Sequence, residues 1–228
     1  MTTQLIAMHG WAGDSRGWEP FAAAAERQGW HWQAPDRGYG PCPVHPAQWQ
    51  PGASRRVLIA HSLGPQLLPP ELLAAADAVV LLASFGRFVP PGRAGRRLHA
   101  ALDGMAQALR GPEAEAMLRQ FLSEAAAPQP ISQLPATIID QPLTDAARRQ
   151  LLADLELLAS TTALPAALPT AIPGLIVEAG ADRIVVPEAR ALLRQERPRA
   201  ELVLYPEAGH CLLGTPVVRE VMGWIAGL

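Results

Sequence analysis

Val57-Leu58-Ile59-Ala60-His61-Ser62-Leu63-Gly64 is the stretch that decides how this chain is read. Its first four residues are apolar without a break, which suits a strand buried on both faces of a sheet. Pro65–Ala76 follows at once and reads as a helix. A strand that turns sharply into a helix through small-x-Ser-x-Gly has the context of a nucleophile elbow. The turn pushes the middle side chain into the open, and small flanking residues avoid clashes. Here Ala60 stands where the first Gly is more usual.

Similar short apolar runs, each closed by Gly, Pro or Asp, lie on both sides of this stretch. They are Leu5–Met8, Trp30–Ala34, Val79–Ala83, Leu175–Glu178 and Glu201–Tyr205. Helical patterns over Pro20–Gln28, Pro187–Glu196 and Pro216–Ile225 alternate with them. Strands alternating with helices predict an α/β fold with a mostly parallel sheet and right-handed crossovers. Ligands in such sheets sit beyond the carboxyl ends of the strands. Residues 89–170 carry no strand pattern. Helices are predicted there over Arg93–Leu109, Pro112–Ala126 and Thr144–Ser160, with an irregular turn around Ile131–Pro142. The expected organisation is a core of residues 1–88 and 171–228, interrupted by a helical cap over 89–170 within the same structural domain.

Serine is a poor nucleophile at neutral pH and needs a base, which in turn needs an acid to orient it. Two histidines follow Ser62. His99 falls in the helical insertion, whereas His210 lies just after the last strand run, in Glu207-Ala208-Gly209-His210. Asp182, at the end of Leu175–Glu178, precedes it. The order Ser62, Asp182, His210 is the one this strand arrangement uses, each residue at a strand's carboxyl end. Acyl transfer also develops an oxyanion, which preorganised backbone N–H groups must face. Leu63, after the nucleophile, supplies one. Trp11, in His9-Gly10-Trp11-Ala12-Gly13 after the first strand, is placed to supply the other and to wall the acyl site.

Composition narrows the alternatives. The chain has 228 residues, of which 49% are hydrophobic and 18% charged, enough to bury a sizeable core. All 19 basic residues are arginine, and the net charge is −2, which argues against a nucleic-acid binder. No apolar run is long enough to span a membrane, and the N-terminus does not read as a signal peptide. Cys42 and Cys211 fit no disulfide or metal pattern and read as two reduced thiols in a cytoplasmic protein. No Walker or dinucleotide-type glycine pattern occurs, so neither cofactor nor metal is expected. A monomer is expected.

Taken together, His9-Gly10-Trp11, Ala60-His61-Ser62-Leu63-Gly64, Gly180-Ala181-Asp182 and Gly209-His210 resemble the α/β-hydrolase superfamily. The resemblance spans nearly the whole chain and implies a Ser-His-Asp hydrolase of the α/β-hydrolase fold. The implied cap falls between the sixth and seventh strands of that fold, where 89–170 lies. Ser62 sets the chain apart from the dehalogenases of this superfamily, which use Asp as nucleophile.

More narrowly, the chain is similar to the pimeloyl-acyl-carrier-protein methyl ester esterases of biotin synthesis, in a short form of the cyanobacterial kind. The segments that carry this are His9-Gly10-Trp11, Ser62-Leu63-Gly64, Leu98 to Leu122, Leu155–Leu158 and Asp182–Pro187. The resemblance implies Trp11 and Leu63 as the oxyanion site and Phe121 as a lining residue of the acyl channel. It also implies that cap arginines hold the acidic acyl carrier protein; Arg93, Arg96, Arg97 and Arg119 are the candidates. The chain departs from that family at His61, where Trp is usual, and at Pro65, where Gly is usual. Gln120 lies beside Phe121, and Arg119 is one position further away.

Charge placement bears on the partner. Residues 85–123 hold six arginines against Asp103, Glu113 and Glu115, a net of +3 that leaves −5 on the rest of a chain totalling −2. A basic patch on an otherwise acidic protein can steer an acidic partner. Small-molecule esters are the other expected substrates. The rival readings are a general carboxylesterase, a thioesterase or a carbon–carbon bond hydrolase, and, outside catalysis, a hydrolase-fold binding protein.

Overall fold

The computed structural model describes residues 2–228. Six strands form one sheet: β1 (Thr3–Met8), β2 (His31–Gln33), β3 (Arg55–His61), β4 (Ala78–Leu82), β5 (Gly174–Ala179) and β6 (Glu201–Tyr205), in spatial order β2-β1-β3-β4-β5-β6. Every pairing is parallel. β3 therefore lies at the centre, and the chain reverses its direction of winding beside it. That is the crevice position at which open α/β sheets hold their ligands.

The continuous apolar runs arise because both faces of the inner strands are covered. Leu5 and Ala7, Val57 and Ile59, and Val80 and Leu82 point to one face, packed under α1 (Glu19–Arg27) and α8 (Val217–Gly227). Ile6 and Met8, Leu58 and Ala60, and Val79 and Leu81 point to the other. There they meet α2 (Gly64–Leu67), α3 (Pro70–Ala74) and α7 (Pro187–Glu196).

The helix expected over Pro65–Ala76 is two short helices, α2 and α3. Pro69-Pro70 is the reason: a residue before proline is driven out of the α region. Leu68 accordingly sits at φ −87°, ψ 141° and Pro69 at ψ 142°. The crossover from β2 to β3 contains no helix at all. Glutamine side chains hold it instead: Gln4 Nε2 and Gln33 Nε2 donate to the Gln48 carbonyl at 2.9 and 3.0 Å, and Gln4 Oε1 accepts from Gln50 N at 2.7 Å.

Between β4 and β5 the structure has α4 (Arg93–Arg110), α5 (Ala114–Ala126) and α6 (Asp145–Ser160), with single 3-10 turns at Ile131–Gln133 and Ile138–Asp140. The hydroxyl of Thr144 caps α6 by accepting from Ala147 N at 3.1 Å. Ala147, Leu151, Leu155 and Leu158 form its buried stripe. Asp154 lies within that stripe and is also buried. Its carboxylate accepts two bonds from Arg37 (3.0 and 2.6 Å), one from the Tyr39 hydroxyl (2.6 Å) and one from Gln150 (2.9 Å). Arg37 and Tyr39 follow β2, so Asp154 ties α6 to the sheet's carboxyl edge. Replacing Asp154 by alanine strands a buried phenol and a half-buried guanidinium. Such a loss costs about 3 kcal/mol. Urea unfolding is expected to show it as a lower midpoint at unchanged slope.

Candidate functional site

β3 ends at His61, and Ser62 follows in the left-handed region at φ 54°. A non-glycine residue there is strained, and the surrounding structure must hold it. Ser62 N donates to Leu82 O at 2.9 Å, and the Ser84 hydroxyl donates to Ser62 O at 2.7 Å, which pins the turn from both ends. A Cβ at Gly64 would come 2.6 Å from Met8 O, so only glycine fits against β1. The same hypothetical atom would lie 3.2 Å from the Ala60 methyl. The space left by Gly64 is thus what accommodates Ala60 in place of a first glycine. Pro65 sits in the first turn of α2, where its missing N–H leaves no helical bond unmade.

Asp182 and His210 arrive from the loops after β5 and β6. His210 Nδ1 donates to Asp182 Oδ2 at 2.9 Å, and both side chains are buried. Asp182 Oδ1 accepts from Ile184 N (2.7 Å) and Val185 N (2.9 Å). Burial alone would raise this carboxyl, but His210 and the two backbone donors outweigh it and hold Asp182 below the usual carboxylate range. An ionised carboxylate only accepts, so His210 Nδ1 carries a proton and Nε2 is the ring nitrogen left to face a substrate. The His210 loop is fixed further by Cys211 N donating to Ala125 O on α5 at 3.1 Å. Burial pushes the Cys211 thiol up to about 12, so it is no thiolate nucleophile at neutral pH. Among the described residues no hydrogen bond joins Ser62 Oγ to His210. In unliganded hydrolases this bond is often long and tightens when substrate binds.

The loop after β1 closes over Ser62 from the other side. A Cβ on Gly10 would lie 2.7 Å from the Ser62 Cβ, so glycine is what allows the approach. Neither Trp11 N nor Leu63 N finds a backbone carbonyl partner among the described residues. Two unused donors beside one serine are the raw material of an oxyanion hole. The Trp11 indole turns away towards the helices between β4 and β5. Its Nε1 donates to Leu151 O on α6 at 2.8 Å, and its ring meets Phe121 of α5 edge-on, centroids 4.8 Å apart.

A cavity of about 570 Å³ opens between this loop, α5 and the start of α8. His61, His210 and Gly10 reach it, whereas Ser62 is only 4% exposed and is not on its wall. Trp11, Trp18, Phe21, Leu82, Phe121 and Leu134 make the wall mainly apolar. Arg16 is its one arginine among the described residues, and that side chain is already paired with Asp14 and bonded to Thr137 O. A smaller hollow of about 390 Å³ between β6 and α8 contains none of the predicted site residues.

Arg93, Arg96 and Arg97 stand exposed on the first two turns of α4, and Arg119 is exposed on α5. None lines the cavity. Asp14, Asp36 and Cys42 converge closely enough to suggest a metal centre. Their carboxylates are occupied by N–H donors, however: Arg16 on Asp14, and Ser15 N and Gly38 N on Asp36. No helix among the described residues is long and apolar enough to cross a membrane.

Two contributors to this region were missed from sequence. Asp154 has a legible signal, an acid inside an apolar helical stripe. The bond from His61 Nε2 to the His210 carbonyl, 3.0 Å long, has none, because it links positions 149 residues apart.

The family model of the alpha/beta hydrolase family matches residues 5–219, and the chain belongs to that family. Among solved structures, it is similar to a thermophilic esterase from Thermogutta terrifontis (TM-score 0.70, 17% identity, covering 100% of this chain and 90% of that one). The enol-lactonase of Burkholderia xenovorans LB400 gives 0.72 at 14%, covering 100% and 91%. An esterase from Exiguobacterium antarcticum gives 0.71 at 14%, covering 99% and 91%. At these identities the likeness carries the fold. No curated protein matches the chain in sequence.

Proposed function

We propose that this chain is a serine carboxylesterase. The observation that carries the reading is the buried Asp182–His210 hydrogen bond, set beside a serine at φ 54° on the central strand. Ser62 attacks the ester carbonyl while His210 Nε2 takes its proton, and Asp182 keeps the other proton on Nδ1. The N–H groups of Trp11 and Leu63 hold the oxyanion. The alcohol leaves with the proton from His210, and water activated by the same ring releases the carboxylate. No step uses a cofactor.

The substrate we propose is the methyl ester of pimeloyl-acyl carrier protein, in keeping with the resemblance of the Trp11, Leu63 and Phe121 segments. An apolar cavity without an unpaired cation suits a neutral chain better than a free carboxylate. Residues 89–170 act as the cap, and Phe121 as a wall of the acyl channel. The carrier docks on Arg93, Arg96, Arg97 and Arg119. The first turn of α4 holds arginine and no acid. Cations there run against the helix dipole, each at a cost of about 0.3–1 kcal/mol, which an acidic partner would offset.

The test is steady-state kinetics on two substrates, pimeloyl-carrier methyl ester and p-nitrophenyl butyrate. Changing Arg93, Arg96 and Arg97 together to Ser is expected to raise KM for the carrier ester on the order of tenfold or more, with kcat and the small ester unaffected. Hydrolysis of the small ester alone would leave a general carboxylesterase. Turnover of neither would remove the esterase reading.

A further inference from the structure

We infer that His61 is a positioning residue for the proposed base, holding the His210 loop in register with the Ser62 turn. This rests on the serine-esterase reading and assigns a role to one of the residues at which the chain departs from its resembled family.

One imidazole spans the two loops that must be aligned. His61 Nε2–H donates to the His210 carbonyl at 3.0 Å, and the two rings lie 4.7 Å apart, tilted by 52°. On its other side, a Cβ on Gly10 would meet His61 Nδ1 at 3.3 Å and His61 O at 3.1 Å, so the ring also abuts the loop carrying Trp11. His210 is buried, and among the described residues its carbonyl accepts no other bond. Losing the His61 donor therefore leaves a buried acceptor unpaired, and the cheapest relief is movement of the His210 loop.

The ring is also suited to this place by its charge. Burial, followed by the neighbouring His210, holds the His61 pKa down at about 3. It stays neutral at working pH, does not compete for the serine proton, and adds no positive charge beside His210 when that ring becomes an imidazolium.

Two measurements test the role. In the wild-type protein, 15N-detected NMR of the histidine rings is expected to find His61 as the Nε2–H tautomer. An Nδ1–H tautomer would overturn the assignment, since the carbonyl bond could not form. With p-nitrophenyl butyrate, His61→Phe is expected to lower kcat on the order of a hundredfold, the scale of a misplaced catalytic group. KM should change little, and the loss of one buried hydrogen bond should lower the thermal midpoint by only a few degrees. His61→Gln, which keeps an N–H donor, is expected to regain most of the loss. A His61→Phe variant at wild-type kcat, or a His61→Gln variant equally impaired, would overturn the role while leaving the esterase reading intact. Turnover by wild type that Ser62→Ala does not abolish would bring down both.

Discussion

Replacing Ser62 by alanine is expected to lower kcat for p-nitrophenyl butyrate by roughly five to six orders of magnitude, with KM nearly unchanged. The size follows from the division of labour in the site. In the proposed mechanism His210 and Asp182 act only through the serine hydroxyl, so removing that atom idles all three residues together. What would survive is binding and oxyanion stabilisation by the proposed donors, the Trp11 and Leu63 N–H groups. Those alone leave a rate roughly 10³–10⁴ above that in water. Folding should be spared, because the contacts that impose φ 54° on this residue are made by its backbone, through Leu82 O and the Ser84 hydroxyl. Assays at high enzyme concentration, on protein prepared free of host esterases, would measure the residual rate. A variant within tenfold of wild type would mean another nucleophile.

Asp182→Asn is expected to cost about 10⁴ in kcat while keeping the fold. The asparagine carbonyl can still accept from Ile184 N and Val185 N, which occupy Asp182 Oδ1. Its amide must then face His210 Nδ1, where it donates. That forces Nδ1 to accept and moves the ring proton to Nε2, the position from which the base has to take a proton. Stability carries a separate signature. Asp182 titrates lower in the folded protein than in the unfolded chain, so the unfolded chain holds the proton more tightly. Its contribution is thus fully present above the ordinary carboxylate pKa of about 4, and is lost as pH falls through the lower folded value. The Asn variant should lack this acid-side loss, so its stability should vary less than wild type as pH falls below about 4. Urea midpoints across that range would show it.

The sheet was legible because burial on both faces leaves a plain mark. Leu5–Met8 and Val57–Ala60 are unbroken apolar runs for that reason, and each observed strand overlaps the run expected for it. The helix over Pro65–Ala76 was not, because apolar spacing continued through Pro69-Pro70 while the backbone could not. At the site, Ser62, Asp182 and His210 were readable as a sequence order at strand ends, and the structure places each in a loop or turn at the sheet's carboxyl edge. The ties that hold those loops were not readable. Asp154 finds Arg37 across 117 positions, and His61 finds the His210 carbonyl across 149. Such pairs are set by how α6 and the last loop dock, which no local pattern encodes. The arginines show the converse limit. Their clustering near the start of α4 was visible as a count, but only the structure shows that none of them touches the cavity.

The most direct test of a nucleophile at residue 62 is labelling with a fluorophosphonate probe, followed by intact-mass analysis and peptide mapping. One adduct per chain, on Ser62 and missing from the Ser62→Ala variant, is the expected result. No adduct, equal labelling of both proteins, or an adduct on any other residue would contradict the proposed chemistry.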